Sequence, residues 1–263
     1  MAEQMSVIVT GASRGIGAAA ALWLGTAGAD VVLLGRRRDS LETVAGAVRD
    51  RGGRTRTVEQ DMARPGAGDR AVAAALDAFG RLDGVLNNAG VLEPIERLAD
   101  GEMERWRHNL SVNLLGPADL MRASIPALRD TGGRIVNISS GAARNPMAGW
   151  SAYCAAKAAL THLTAVAALE EPALTVVALR PGVVDTAMQA DIRDRGRLAM
   201  DPEKSAYFDA LHREGRLEPP WVPARSAAWL LLRAPRTLTG RFLEYDDPDI
   251  VLPAGELLGP GPP

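Results

Sequence analysis

Short runs of β-branched residues alternate with longer, alanine-rich amphipathic runs along nearly the whole chain, and this alternation limits the possible folds most strongly. Strands that alternate with helices of this length form βαβ units, in which parallel strands are covered by helices on both faces. The predicted strands are Val7–Thr10, Val31–Leu34, Thr55–Glu59, Gly84–Asn87, Arg134–Ile138, Leu174–Leu179 and Arg241–Tyr245. The predicted helices include Ile16–Thr26, Leu41–Asp50, Ala67–Phe79, Trp106–Leu128 and Ser151–Leu169. The pattern predicts one doubly wound α/β domain over residues 1–250, with a seven-stranded, mostly parallel sheet.

Two segments interrupt this alternation. Residues 187–220 lie between the sixth strand and the last helix and are long and polar. A long excursion in a compact domain usually serves as a lid or binding loop, so we expect a substrate lid here, with a mobile insertion as the alternative. Residues 251–263 are rich in proline and glycine, and we expect them to form no regular element.

The charge balance excludes partners that are recognised by overall charge. Thirty basic residues stand against 32 acidic ones, so the chain offers no general attraction to nucleic acid or to an anionic membrane. The single cysteine, Cys154, excludes an intrachain disulfide and is expected to be a small packed residue. The N-terminus lacks the basic segment of a secretion signal, and no apolar run approaches the roughly 18 residues of a membrane span. We therefore expect a cytoplasmic protein.

A glycine-rich turn follows the first predicted strand, in the stretch VIVTGASRGIG. Gly11 allows a tight turn at the strand end, Gly15 lets the backbone approach a pyrophosphate, and Gly17 lets the next helix pack closely on the sheet. Backbone N–H groups of the first helical turn would then face an anion, with the helix dipole behind them. The position of this glycine-rich turn in the first βαβ unit favours a Rossmann-like, dinucleotide-binding domain.

Four polar residues further along the chain are of the types that form an acid–base site. Ser140 lies thirteen residues before Tyr153, Lys157 follows four residues after that tyrosine, and Asn113 lies on the preceding helical run. Tyr153 and Lys157 share one helix face at this spacing. A tyrosine has an ordinary pKa of about 10, which a neighbouring ammonium would lower by stabilising the phenolate. The spacing predicts a tyrosine that exchanges a proton with a substrate oxygen, to which Ser140 also hydrogen-bonds.

These motifs, together with LNNAGV over Leu86–Val91, resemble those of the short-chain dehydrogenase/reductase family, and the resemblance covers nearly the whole chain. The family's glycine turn has the form T-G-x-x-x-G-x-G, which this chain matches at Thr10, Gly11, Gly15 and Gly17. The resemblance implies that the four polar residues form a catalytic tetrad, in which Lys157 also binds the nicotinamide ribose and Asn113 holds a relay water. It implies cofactor contacts at Gly11, Ser13, Arg14, Gly15, Ile16, Gly17, Asp61, Met62, Asn88, Ala89, Gly90, Tyr153, Lys157, Pro181, Gly182, Val184, Thr186 and Met188.

The end of the second strand predicts which dinucleotide is used. An acid at this place holds the ribose hydroxyls of NAD, but here Gly35 is followed by Arg36, Arg37 and Arg38. A guanidinium binds a 2′-phosphate with paired hydrogen bonds, whereas a carboxylate would repel it. We therefore expect NADPH, with Arg36 as the main phosphate contact and Arg14 opposite. Arg37 is a reserve contact, and Arg38 faces water.

The substrate pocket is expected to be apolar and to adjoin Ser140 and Tyr153. Its candidate lining residues are Met147, Trp150, Met188 and Trp221, with burial in the core as the alternative for at least half of them. The histidines lack the spacing of metal ligands, so no metal is expected.

The C-terminal third, with GVVDTAMQADIR and LTGRFLEYDDPDI, resembles the benzil reductase branch of the family, which forms (S)-benzoin from a bulky aromatic diketone. This implies NADPH-dependent reduction of an apolar or aromatic ketone to a chiral alcohol, and the reverse oxidation. Two alternatives stay open: a biosynthetic ketoreductase acting on a polyketide, terpene or steroid-like compound, and a catalytically silent dinucleotide sensor. Asp246 and Asp247 replace the Gly-Gly ending of tetrameric relatives, so any homo-oligomer is expected to be a dimer rather than a tetramer.

Overall fold

A seven-stranded parallel sheet forms the centre of the molecule. The computed structural model describes residues 4–263, apart from the side chain of Arg197. The strands are β1 (Ser6–Thr10), β2 (Asp30–Gly35), β3 (Thr55–Glu59), β4 (Gly84–Asn87), β5 (Arg134–Ile138), β6 (Thr175–Arg180) and β7 (Phe242–Glu244). Their order is β3-β2-β1-β4-β5-β6-β7, and every neighbouring pair is parallel. The predicted doubly wound α/β fold is confirmed: β1, β2 and β3 extend the sheet in one direction, and β4 to β7 extend it in the other, so the strand order reverses between β1 and β4.

Helices cover both faces of the sheet because alternate strand residues point to opposite sides. The helices are α1 (Gly15–Thr26), α2 (Arg38–Arg49), α3 (Ala67–Phe79), α4 (Met103–Leu110), α5 (Gly116–Thr131), α6 (Ser151–Glu170), α7 (Ala187–Arg195), α8 (Pro202–Arg213), α9 (Trp221–Arg233) and α10 (Pro248–Leu258). Val7 and Val9 pack with α1, α2, α9 and α10 on one face. Ile8, between them, packs with α3 and α5 on the other face. Both faces are therefore buried, as the continuous apolar strands require.

The structure corrects three of the predicted elements. The helix expected over Trp106–Leu128 is divided into α4 and α5 by a π-helical turn, Ser111–Leu115. The lid segment 187–220 contains α7 and α8, so it is mostly helical and not an irregular loop. The tail expected to lack structure after residue 250 carries most of α10, whose Ile250, Ala254 and Leu258 are buried against the core.

Helix α6 corrects a further expectation, that no apolar run reaches the length of a membrane span. Among the described residues, this one helix is long and apolar enough to cross a membrane by length and composition alone. Its buried side includes Lys157 and Leu160, and the Lys157 ammonium group donates a hydrogen bond to the backbone of β5. One side of α6 is thus packed into the domain, with 39% of its apolar stretch buried.

The docking of α10 can be tested by unfolding. Ile250→Ala is expected to lower the free energy of unfolding by about 2–4 kcal/mol, because a fully buried side chain is truncated and leaves a cavity. Leu252→Ala on the same helix is the matched control, since that side chain is 65% exposed and its loss should change stability by less than about 0.5 kcal/mol. Denaturant unfolding measures both, and equal small losses would contradict the packing of α10.

Candidate active site

The carboxyl ends of the central strands open into one large cleft of about 610 Å³. Ligands of open parallel sheets bind at this edge, where the strand order reverses. The predicted cofactor residues that line the cleft are Gly11, Ser13, Arg14, Gly15, Ile16, Arg36, Asp61, Met62, Asn88, Ala89, Gly90, Tyr153, Lys157, Pro181, Gly182, Val184, Thr186 and Met188. The structure thus brings the motifs of the whole chain to one place.

The glycine turn is joined to β4 by the side chain of Thr10. Its hydroxyl accepts hydrogen bonds from the backbone N–H groups of Asn88 (2.9 Å) and Ala89 (3.0 Å) and donates one to the carbonyl of Leu86 (3.2 Å). Gly17 does not line the cleft, but a Cβ there would lie 2.4 Å from the Asn88 amide nitrogen and 2.5 Å from the Gly11 carbonyl oxygen. Only glycine allows this close approach of α1 to the sheet, as the sequence predicted.

This turn is chemically suited to an anion. Gly11 and Gly15 adopt left-handed conformations, with φ of 63° and 58°. No acidic residue occurs in the first turn of α1, and the residue that precedes it, Arg14, is exposed and basic. The free N–H groups of this helix end therefore face the cleft without a competing carboxylate, which fits the pyrophosphate of a dinucleotide.

Ser140, Tyr153 and Lys157 meet where β5 ends and α6 begins. The Ser140 hydroxyl oxygen accepts a hydrogen bond from the N–H of Ala142 (3.1 Å), and its own proton is available to the Tyr153 oxygen, with which Ser140 forms a hydrogen bond. The Lys157 ammonium donates to the carbonyl of Ile138 (2.8 Å) and lies 5.7 Å from the centre of the Tyr153 ring. Tyr153 and Lys157 are both buried, so their charges are poorly solvated.

Burial disfavours the charged form of both groups. It raises the pKa of Tyr153 to about 12, although the hydrogen bond with Ser140 acts in the opposite direction. Burial also lowers the pKa of Lys157 to about 8. The ammonium was expected to lower the pKa of the tyrosine; in the protein alone, burial is the dominant influence and the net shift is upward. The phenol is therefore fully protonated at neutral pH.

Asn113 lies in the π-helical turn between α4 and α5, where its side chain is fully buried. Its amide group pairs with both backbone polar groups of Val91: Nδ2 donates to the carbonyl (2.7 Å), and Oδ1 accepts from the N–H (3.1 Å). Nδ2 also donates to Oδ1 of Asn109 (2.9 Å). Asn113 does not line the cleft, but a Cβ at Gly90 would lie 2.9 Å from its Oδ1 and 3.8 Å from Lys157 Nζ. Gly90 thus lies close to both the side-chain amide of Asn113 and the ammonium group of Lys157.

The outer end of the cleft carries two arginines that have no protein partner. Arg14 and Arg36 are exposed, line the cleft, and form no ion pair among residues 4–263. Arg37 is also exposed but does not line the cleft. Asp61 accepts from the N–H of Ala63 (2.9 Å), and the neighbouring Gln60, which the sequence argument did not include, lines the same end.

The other end of the cleft is apolar and aromatic. Met147, Trp150 and Met188 line it as predicted. Trp221 does not: it packs against the core cluster beside α1, and its carbonyl accepts a hydrogen bond from the indole of Trp23 (2.9 Å). For Trp221 the alternative of packing in the core is therefore observed, and its place in the pocket lining is wrong, because it lies against α1 and not at the cleft.

Sequence reasoning missed the aromatic residues of α8, Tyr207 and Phe208, which also line the cleft. The Phe208 ring stacks on Trp150, with centroids 5.7 Å apart and planes at 21°. The segment that was read as a lid loop thus supplies a wall of the pocket. The adjacent aromatic residues in SAYFDALH were the only available signal.

The family model described as short chain dehydrogenase matches residues 5–196 of this chain. The chain belongs to the short-chain dehydrogenase/reductase family, whose members are oxidoreductases that bind a nicotinamide dinucleotide and act on small molecules. The residues described above fit such a cofactor, because the glycine turn, the unpaired arginines and the buried lysine line one continuous cleft.

Individual relatives support this assignment. The chain is 33% identical to the uncharacterized oxidoreductase YIR035C of Saccharomyces cerevisiae, over 92% of this chain and 96% of that protein. The crystal structure of YIR035C matches with a TM-score of 0.88 at 31% identity, covering 94% of this chain and 98% of that chain. The chain is 39% identical to the benzil reductase ((S)-benzoin forming) IRC24 of the same yeast, over 64% of this chain and 68% of that protein. The predicted likeness to benzil reductases is thereby confirmed.

A solved structure with bound cofactor shows what this fold can hold. The NAD⁺-bound xylitol dehydrogenase matches with a TM-score of 0.83 at 26% identity, covering 93% of this chain and 98% of that chain. Because that relative holds NAD⁺, the family alone does not decide between NAD and NADP. The preference has to be argued from the residues of this chain.

The protonation of Tyr153 can be measured without any cofactor. Because burial raises its pKa to about 12, the ultraviolet phenolate signal of the wild type minus that of Tyr153→Phe should rise near pH 12 instead of near 10. The subtraction removes the other two tyrosines, Tyr207 and Tyr245. A difference signal that rises below pH 10 would show that Lys157 outweighs burial in the free protein.

Proposed function

We propose that this protein is an NADPH-dependent carbonyl reductase that converts an apolar or aromatic ketone or diketone to a chiral alcohol, and catalyses the reverse oxidation. The observation that carries the proposal is the placement of Ser140, Tyr153 and Lys157 at the junction between the glycine-lined and aromatic ends of one cleft. A catalytically silent dinucleotide sensor would need only the glycine-lined end of the cleft. We also propose the cytoplasm as its location, because the single cysteine allows no intrachain disulfide of the kind that stabilises many secreted proteins.

The proton needed for reduction comes from Tyr153. When bound, NADPH supplies the hydride that reaches the carbonyl carbon. Tyr153 gives its phenolic proton to the carbonyl oxygen, and its raised pKa keeps that proton in place at neutral pH until the oxygen becomes basic. With substrate bound, Ser140 donates its O–H to the same oxygen instead of to Tyr153 and fixes the oxygen against the tyrosine.

In the proposed mechanism, Lys157 and Asn113 assist proton transfer by Tyr153. In this mechanism, the Lys157 ammonium stabilises the phenolate left after proton transfer, and its second role is to hold the nicotinamide ribose. The side-chain amide of Asn113 is engaged with Val91 and Asn109, so a relay water there would bind its backbone carbonyl. A water at that carbonyl would connect Lys157 with solvent and return the proton to Tyr153.

The unpaired arginines support NADPH over NADH. Arg36 follows directly after Gly35 at the end of β2, and Arg14 precedes α1 across the cleft. Two guanidinium groups without protein partners at this place would bind a 2′-phosphate, and no carboxylate follows β2 before Asp39, which lies within α2.

The aromatic end of the cleft supports a bulky substrate. Trp150, Phe208 and Tyr207 form a continuous aromatic wall, with the Tyr153 ring edge-on to Trp150 at 6.0 Å. Aryl rings pack favourably on such a surface. The relative IRC24 bears the name of a benzil reductase, which agrees with this chemistry.

Tyr153→Phe tests the mechanism. Removal of the phenolic proton donor should lower kcat for ketone reduction by about 10²–10⁴-fold, a typical contribution of a positioned general acid. NADPH affinity, measured by calorimetry, should change little because the ring remains. Near-normal turnover by this variant, followed as nicotinamide absorbance with an aryl diketone, would remove Tyr153 from the acid role.

Arg36→Asp tests the cofactor preference. The substitution removes a charge-assisted contact to the 2′-phosphate and adds a repulsive charge, so the kcat/KM ratio for NADPH over NADH should fall by at least about 10–100-fold. Arg38→Asp is the matched control, because it makes the same charge change at an exposed position that does not line the cleft. Equal effects of the two variants would show a general field effect and not a specific phosphate contact.

A further inference from the structure

Lys204 on α8 is a cation without a partner at the aromatic end of the cleft. Its side chain is exposed and lines the cleft, and within residues 4–263 it forms neither an ion pair nor a hydrogen bond. By contrast, Arg195 of the same lid segment pairs with Glu93. An unpaired ammonium group that lines a ligand cleft can bind an anionic group of the ligand without first losing a contact within the protein.

One face of α8 places this cation at the end of the aromatic wall. Tyr207 and Phe208 follow three and four residues after Lys204, so the three side chains share a helix face, and all three line the cleft. Nζ of Lys204 lies 5.9 Å from the centre of the Tyr207 ring, and that ring meets the Phe208 ring at 5.4 Å. Phe208 stacks on Trp150, which meets the Tyr153 ring edge-on. The wall therefore runs from the proton donor to the cation.

This order of groups defines the shape of the ligand. When the reacting carbonyl lies at Tyr153 and an apolar body lies along the aromatic rings, the far end of the molecule lies beside the Lys204 ammonium. A lysine is a compact, single positive charge that only donates hydrogen bonds, so its match is a singly charged acceptor such as a carboxylate. Because Lys204 is exposed, a carboxylate there stays hydrated and avoids the cost of a buried charge.

We infer that Lys204 binds a carboxylate at the end of the substrate remote from the reacting carbonyl, and that the preferred substrates are keto acids with an aromatic or apolar body. This inference rests on the proposed reductase function and narrows its substrate class. The acidic residues that line the cleft, Asp61 and Asp185, follow β3 and β6 among the predicted cofactor contacts, and neither pairs with Lys204. Within residues 4–263, no protein carboxylate therefore competes with the ligand for this ammonium.

The carboxylate takes no part in the chemical step. Hydride from NADPH reaches the ketone carbon, the proton from Tyr153 reaches the ketone oxygen, and the products are a hydroxy acid and NADP⁺. The contribution of Lys204 is to hold the far end of the substrate and so to direct the ketone toward Tyr153. Lys204 is thus a specificity-determining residue.

A matched pair of ligands isolates the contact. 5-(4-Acetylphenyl)pentanoate carries a ketone, an aromatic ring and a flexible acidic tail, and 5-(4-acetylphenyl)pentanamide has the same shape without the charge. In protein saturated with NADP⁺ neither ketone can be reduced, so calorimetry measures binding alone. At low salt the acid should bind about 3–10-fold more tightly than the amide, as expected for a charge-assisted contact at a partly exposed site. Salt at about 0.5 M should remove most of this preference, because added ions screen exposed charges.

Substitutions on α8 assign the preference to Lys204. Lys204→Met removes the charge and should abolish the preference for the acid, whereas Lys204→Arg keeps the charge and should retain most of it. Arg213→Met is the matched control, because it removes a positive charge from the same helix at an exposed position that does not line the cleft. It should leave the preference unchanged. Equal binding of acid and amide by the unsubstituted protein, or a preference that survives Lys204→Met, would overturn the inference.

Turnover with NADPH separates this inference from the reductase proposal. The kcat/KM ratio of acid over amide should follow the binding ratio in the unsubstituted protein and in each variant. If both ketones are reduced and the acid is not preferred, the reductase proposal stands and the Lys204 site is rejected. If neither ketone is reduced while the binding preference still depends on Lys204, the site stands and the reductase proposal is rejected.

The small number of lysines allows a direct measurement on the unsubstituted protein. The chain contains only Lys157 and Lys204, so a ¹³C label at the lysine Cε position should give two side-chain signals, and Lys204→Met identifies which is which. In the NADP⁺ complex, the acid should shift the Lys204 signal and the amide should leave it in place. A Lys204 signal that responds alike to both ligands would contradict the contact.

Discussion

The hydroxyl group of Thr10 is the contact on which the arrangement of the site depends. It accepts hydrogen bonds from two backbone N–H groups that follow β4 and donates one to a carbonyl of β4. One short side chain thus joins the ends of β1 and β4. The strand order reverses between these two strands, and the cleft opens there. The adjoining turn is equally close-packed, since a Cβ at Gly11 or at Gly17 would lie within 2.9 Å of the Asn88 amide nitrogen. The glycine turn, the Asn88 loop and the helix end therefore occupy one place because this contact holds them together.

Burial shifts the pKa values of Tyr153 and Lys157 in opposite directions, and these shifts suit the pair to proton transfer. Desolvation raises the pKa of Tyr153 to about 12 and lowers that of Lys157 to about 8, so in the free protein at neutral pH the phenol is neutral and the lysine is still mostly an ammonium. A positive charge that arrives beside them would favour the phenolate and return the tyrosine toward the neutral range. In our proposal the bound, oxidised nicotinamide is that charge. The acid–base group would then be adjusted by the redox state of its own cofactor.

The sheet and most of the proposed tetrad could be predicted from sequence because they depend on local patterns. Three strands, β3, β4 and β5, have the predicted bounds, since β-branched runs between turn residues identify strands directly. The failures concern tertiary packing. The Pro/Gly-rich end contains α10 because Ile250 and its neighbours find an apolar surface, which propensity alone does not reveal. Trp221, a candidate for the pocket lining, packs on the core, and Phe208, for which no role was predicted, lines the pocket, since sequence does not show which face of a helix meets the cleft.

The choice between lysine and arginine in this chain follows the chemistry at each place. Counted in the sequence, 28 of the 30 basic residues are arginines and only Lys157 and Lys204 are lysines. An arginine stays charged at every accessible pH and would impose the full cost of a buried charge at position 157. A lysine whose pKa burial lowers to about 8 can carry its charge at neutral pH and lose its proton at slightly higher pH. At the outer end of the cleft, a permanent positive charge is useful for holding an anion. Arg14 and Arg36 line this end. The two ends thus use the two cations for opposite properties: a charge that titrates where protons move, and a fixed charge where an anion has to be held.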